Sequence, residues 1–235
     1  MMTEWDPGWI HRFERGVGPR TLLLLHGTGA DETQLLDVGR RIAPEAHRLG
    51  VRGRSLEEGA PRFFRRFSAT RYDQDHLWAE AEALTGLVHD AAERYGFSAQ
   101  AVWAVGYSNG ANIALAALSR WPAVFAGAVL FRPVMVMEQP PEHDLGPEHD
   151  LGGMPVLVLE GERDPFLLSG AAVVPYLSQR GARVRVERLE AGHELTAADL
   201  VHAAAWLAAD PALGRLVGQA CAVDGCCNGR FQRIL

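Results

Sequence analysis

Four short apolar runs, at residues 21–25, 101–105, 127–131 and 156–159, constrain the fold of this chain more than any other feature. Each is too short for a core helix, and each is cut off by a turn signal: His26-Gly27, Gly106, Arg132-Pro133 and Glu160-Gly161. A strand without polar alternation has both faces buried, as in a parallel sheet covered by helices. Residues 184–189 alternate instead, which suits a strand nearer the sheet edge. Shorter patterns at 9–13 and 49–52 add a strand before the first run and another after it.

Helical patterns fill the gaps. Residues 75–95 carry Leu77, Trp78, Ala81, Leu84, Leu87 and Val88 at helical spacing, with Gly96 as the stop. Residues 109–118, 171–179 and 196–208 complete the set, and Thr196 with Asp199 forms a capping pair at the start of the last. The alternation predicts one α/β domain over residues 1–220. It holds a mostly parallel sheet of about seven strands, helices on both faces and a small cap segment. Residues 221–235 read as a poorly ordered tail.

Composition then excludes whole classes. A chain of 235 residues, 48% hydrophobic and 22% charged, is neither disordered nor fibrous. Its net charge of −6 gives no attraction to nucleic acid or anionic membranes. No apolar stretch approaches the ~18 residues that span a bilayer, and the acidic opening residues are not expected to be a signal peptide. The cysteines, Cys221, Cys226 and Cys227, crowd the tail and provide no disulfide frame, so a cytoplasmic location is expected. They do not match a paired zinc pattern. The hexapeptide at 141–146 repeats at 147–152, but nothing fixes the spacing of its histidines and aspartates, so it reads as a surface loop and no metal is expected.

The chemistry concentrates at Gly106-Tyr107-Ser108-Asn109-Gly110, a G-x-S-x-G placed directly after a strand and before a helix. That context puts Ser108 on a sharp turn, clear of the sheet and facing the helix N-terminus. A serine hydroxyl needs a base. His193 follows a strand and the small pair Ala191-Gly192, in a loop at the carboxyl end of the sheet where ligands gather. His11, His47, His76, His89 and His202 lie near chain ends or inside regular elements and read as structural or solvated. Asp164, after the strand at 156–159, falls between serine and histidine in chain order and is placed to orient the imidazole, with Glu162 as the nearest rival and Glu194 and Asp199 behind it. Oxyanion donors are expected from the Asn109 N–H and from His26-Gly27-Thr28-Gly29, where Thr28 is the chosen residue.

Taken together, Leu25 to Gly29, Gly106 to Asn112, Arg163-Asp164-Pro165 and Gly192-His193-Glu194-Leu195 resemble the phospholipase/carboxylesterase family of α/β-hydrolases. The nearest subgroup is bacterial carboxylesterases similar to hydroquinone-pathway hydrolases, and the likeness spans residues 9–207. The resemblance implies a Ser108–His193–Asp164 triad, oxyanion N–H groups on Thr28 and Asn109, ester or thioester substrates and no cofactor. The duplicated loop and the cysteine-bearing tail depart from the family pattern.

Substrate choice points to residues 61–67. On a helix, Phe63, Phe64 and Phe67 share one face, with Arg62, Arg65 and Arg66 elsewhere. Two readings stay open: a cap whose aromatics line the pocket while an arginine such as Arg65 meets a substrate carboxylate, or an amphipathic helix packed on the sheet. Trp103 and Tyr107 read as core, and Arg132, after a strand end, as a surface ion pair ahead of a residue bordering the site. The expected activity is hydrolysis of a small to medium, uncharged or weakly acidic carboxylic ester. A thioesterase or lysophospholipase-type hydrolase is the alternative enzyme, and a non-catalytic small-ligand module the alternative of another class. The expected partner is a small-molecule ester rather than nucleic acid or membrane, with room for a homodimer.

Overall fold

The apolar runs become the centre of one sheet. In the computed structural model, which describes residues 8–138 and 150–209, the strands are β1 (His11–Glu14), β2 (Thr21–Leu25), β3 (His47–Val51), β4 (Ser55–Glu57), β5 (Ala60–Arg62), β6 (Val102–Tyr107), β7 (Gly127–Phe131), β8 (Pro155–Gly161) and β9 (Arg183–Leu189). The helices are α1 (Leu36–Ile42), α2 (Gln74–Tyr95), α3 (Asn109–Arg120), α4 (Leu167–Gly170), α5 (Val173–Gln179) and α6 (Ala197–Ala208). The sheet has seven strands in the order β1-β3-β2-β6-β7-β8-β9. Only β1 is antiparallel to its neighbour. β4 and β5 form a separate hairpin. Most of the duplicated loop and the whole cysteine-bearing tail lie outside the described residues.

From β2 the chain moves outward to β3, and after α2 it returns to the other side of β2 as β6. The carboxyl ends of β2 and β6 therefore diverge, and a crevice opens there. Register pairs Leu25 with Gly106 and Tyr107 with Phe131, so the segments after β2, β6 and β7 leave the sheet at nearly one level.

Two apolar layers hold the sheet. Leu84 of α2, Ile113 of α3 and Leu177 of α5 pack on one face, whereas Leu36 and Ile42 of α1 and Leu200, Ala203 and Leu207 of α6 cover the other. α3 is buried all round, from Asn109 to Ser119, between the sheet and α2. Its alanines permit that close approach. α2 begins where the Asp73 carboxylate accepts the His76 N–H and ends at Gly96, whose φ of 71° is the left-handed stop expected. The capping box at Thr196 and Asp199 is formed at the start of α6.

Several expectations need correction. The strands expected at 9–13 and 49–52 are present but lie at 11–14 and 47–51; the helix expected at 171–179 is α5, begun two residues later, and the short α4 before it was not expected. Residues 63–67 form no helix; they follow the β4–β5 hairpin as irregular chain. Phe63 and Phe64 are both completely buried, Phe63 against the His26 ring at 4.8 Å and Phe64 edge-on to Tyr72 at 5.8 Å. Phe67 points outward, 64% exposed, and Arg65 pairs with Asp73 at 2.9 Å. Consecutive side chains can both turn inward only where the backbone is irregular, and burying two rings outweighs a five-residue helical period. Arg132 forms an ion pair as expected, but its side chain is wholly buried rather than at the surface. Trp103 is core, edge-on to Trp206.

Candidate active site

The turn after β6 is tight because two residues lack side chains. A Cβ on Gly106 would meet Ala111 N and Gly110 O at 2.5 Å, and one on Gly110 would collide with the Leu25 carbonyl. Ser108 between them adopts φ 52°, ψ −114°, a strained conformation for a residue with a Cβ. Its N–H is taken by the Phe131 carbonyl at 2.9 Å, and its own carbonyl accepts the first bond of α3 from Asn112 N–H at 3.0 Å. The hydroxyl is thereby held above the carboxyl ends of β6 and β7.

His193 and Asp164 meet it there. The Ser108 hydroxyl lies 2.9 Å from His193 Nε2, and His193 Nδ1 lies 2.8 Å from Asp164 Oδ2. Because the carboxylate only accepts, Nδ1 carries the proton and Nε2 is left as acceptor for the hydroxyl. Asp164 has only 4% of its side chain exposed, and its other oxygen accepts the Phe166 N–H at 2.8 Å. Its rivals are placed otherwise: Glu162 is exposed, Glu194 accepts the Gly192 N–H, and Asp199 pairs with Arg132.

The loop carrying His193 is clamped from three sides. The Tyr107 hydroxyl donates to the His193 carbonyl at 3.1 Å, and the Phe166 ring stands edge-on to the imidazole at 5.1 Å. Arg132, immediately after β7, reaches underneath. Its guanidinium donates to Gly192 O and Glu194 O, each at 3.0 Å, and to both carboxylate oxygens of Asp199 at 2.7 and 2.9 Å. Arg132 itself has φ 52°, a second strained non-glycine at the site. Burial pushes the Tyr107 phenol above its ordinary range, so it remains a donor.

The segment after β2 closes the opposite wall. His26 Nδ1 donates to Gly27 O at 2.6 Å while Nε2 accepts the Gly53 N–H at 2.9 Å. Burial drives this histidine's pKa down and keeps it neutral. Gln34 Oε1 accepts the Gly27 N–H, and the Gly29 N–H reaches Pro61 O, tying the turn to the β4–β5 hairpin. The backbone N–H groups of Thr28 and Asn109 donate to no group among the described residues.

A cavity of about 220 Å³ lies over the serine, lined by Thr28, Arg62, Arg66, Tyr72, Asn109, Asn112, Val134, Phe166 and His193 among others. Ser108, His193, Thr28 and Asn109 are thus brought together, with Asp164 directly behind the histidine. Phe63, Phe64, Phe67 and Arg65 are not in the lining. Sequence reasoning missed Arg62, Arg66, Tyr72 and Phe166 as pocket residues. Arg62 and Arg66 carried a signal, since both lie in the segment singled out for substrate choice; Phe166 carried only its place two residues after Asp164. Among the described residues, no group of three or more His, Cys, Asp or Glu side chains is placed to hold a metal. No described helix is long and apolar enough to cross a membrane.

This sheet order, with a serine elbow after its central strand, defines an α/β-hydrolase. No family model matches the chain. It is, however, 39% identical over 198 residues to MhqD of Bacillus subtilis strain 168, named as a hydrolase, a match covering 83% of this chain and 96% of that protein. Among solved structures, the Bacillus cereus carboxylesterase is 33% identical with a TM-score of 0.79, over 84% of this chain and 92% of that one. A carboxylesterase from Mesorhizobium loti is also 33% identical, with a TM-score of 0.80 over 86% and 95%. The chain belongs to the phospholipase/carboxylesterase family of α/β-hydrolases. Hydrolase activity of the carboxylesterase type is what these similarities support.

Proposed function

We propose that this protein is a serine carboxylesterase that cleaves small to medium carboxylic esters through an acyl-enzyme on Ser108. The observation that carries this reading is the unbroken chain from Asp164 through His193 to the Ser108 hydroxyl, with contacts of 2.8 and 2.9 Å. In the proposed cycle His193 Nε2 takes the hydroxyl proton as Oγ attacks the ester carbonyl, and Asp164 stabilises the imidazolium. The carbonyl oxygen becomes an oxyanion beside the Thr28 and Asn109 N–H groups, each worth on the order of 3 kcal/mol to the transition state. His193 then protonates the departing alkoxide. Water, activated by the same imidazole, releases the acid and restores Ser108.

The cavity of about 220 Å³ favours a compact acyl group over the long chain of a lysophospholipid. The test is hydrolysis of a p-nitrophenyl ester series by native protein and by Ser108→Ala. Turnover is expected to peak at short acyl chains and to fall by about 10⁴-fold or more in the variant. Native-like turnover by Ser108→Ala overturns the reading.

A further inference from the structure

We propose that Arg62 and Arg66 form an anion-recognition subsite beside Ser108, and that the ester cleaved here carries a carboxylate; this inference rests on the esterase reading and names its substrate class. Both guanidiniums line the cavity that holds Ser108 and His193. Arg62 is 4% exposed, yet its charge is only partly met: Nη1 donates to Thr28 Oγ1 at 3.0 Å, Nε donates to the Phe64 carbonyl at 3.4 Å and lies 3.3 Å from Glu57, and Nη2 has no hydrogen-bond partner among the described residues. Arg66 Nε contacts both oxygens of the same Glu57 at 2.9 and 3.0 Å. Two cations therefore share one carboxylate.

Glu57 is not in the lining, and no other acidic side chain is. With Glu57 behind them counted, the two arginines leave an excess of one positive charge beside the cavity, inside a protein whose net charge is −6. A buried guanidinium without full compensation is unfavourable, and burial accordingly lowers the pKa of Arg62. A monoanion balances the excess; a phosphate dianion overshoots it. The planar fork of a guanidinium matches the two oxygens of a carboxylate.

A second, independent observation lies on the same wall. Asn109 Oδ1 accepts the Phe63 N–H at 2.8 Å, which fixes the orientation of the amide. Its Nδ2 is then left buried with no partner. Asn109 belongs to the cavity lining, so an acceptor arriving with the ligand is the partner this donor lacks. Val134, Tyr72 and Phe166 supply apolar surface for the rest of a small aryl or alkyl ester.

The competing account is that the arginines only brace the hairpin, Arg62 on Thr28 and Arg66 on Glu57. Binding measured in the Ser108→Ala background separates the two without requiring turnover. The probes are matched pairs differing in one charge: para-acetoxybenzoate against its methyl ester, with the carboxylate on the alcohol side, and monophenyl adipate against phenyl hexanoate, with it on the acyl side. The anionic member of at least one pair is expected to bind about tenfold tighter or more, with the gap narrowing as salt is raised. Adding Arg66→Gln or Arg62→Gln is expected to cut that ratio to about twofold, and Arg66→Lys to keep part of it. Equal or weaker binding of both anions, or a preference that survives both glutamine variants, overturns the subsite. Turnover by native protein is read separately. Anion-selective binding without hydrolysis of any probe sinks the esterase reading alone, whereas hydrolysis without charge preference sinks the subsite alone.

Discussion

Arg132 offers the sharpest test of how the His193 loop is held. Its side chain and that of Asp199 are both 0% exposed, so Arg132→Met strands a buried carboxylate whose remaining donors are the N–H and hydroxyl of Thr196. Breaking a buried pair in this way costs about 3–5 kcal/mol, which in a domain of this size lowers Tm by roughly 6–20 °C. The carbonyls of Gly192 and Glu194, on either side of His193, lose their donors at the same time. A shift of about 1 Å in the imidazole costs on the order of 10²-fold in kcat. The double variant Arg132→Met/Asp199→Leu splits these effects. It removes the stranded charge and is expected to regain most of the stability, less about 1 kcal/mol for the lost α6 cap, while kcat stays low because the two carbonyls still lack a donor. Thermal unfolding followed by circular dichroism and kinetics on p-nitrophenyl butyrate measure the two quantities. Recovery of native kcat in the double variant, or full kcat in the single one, refutes the reasoning.

Two further outcomes follow from the packing and from the histidines. Phe63→Ala is expected to cost about 3–5 kcal/mol in urea denaturation, whereas Phe67→Ala changes stability by about 0.5 kcal/mol or less; comparable effects at both positions contradict the observed burial. Burial lowers the pKa of His26, His47 and His76 below the ordinary 6.5. Between those lowered values and 6.5 the unfolded chain binds more protons than the folded one, so stability rises with pH across that window and levels off above it. The urea midpoint is therefore expected to fall between about pH 7.5 and 5.5, where carboxylates scarcely titrate. A flat midpoint over that range removes the assigned role of the buried imidazoles.

Much of this architecture was legible because its signals are local. Leu22 to Leu25 and Val156 to Leu159 are buried on both faces, and an unbroken apolar run is what such a strand requires. Gly106 and Gly110 mark the elbow because the backbone contacts there admit no Cβ. Asp164 and His193 were singled out by their order and by their places after β8 and β9, and the two lie in hydrogen-bond contact with each other. What the sequence hid is long-range. No local pattern says that Arg132 will turn inward to Asp199, 67 residues away. Nor does one distinguish a short amphipathic helix from irregular chain that buries two adjacent phenylalanines. The arginines were visible, but their facing into the cavity depends on Pro61 O and Thr28 Oγ1 holding the hairpin against the turn after β2.

Asn109 joins the first turn of α3 to the backbone just beyond Arg62, through its side-chain contact with Phe63. The Ser108 elbow and the backbone beside Arg62 are consequently tied to one frame rather than joined by a free loop. If the arginines bind a substrate anion as proposed, a ligand whose charge and carbonyl match the spacing of that frame meets both ends at little entropic cost. A ligand of the wrong length would satisfy only one of them, so on that reading the frame measures substrates as a ruler does.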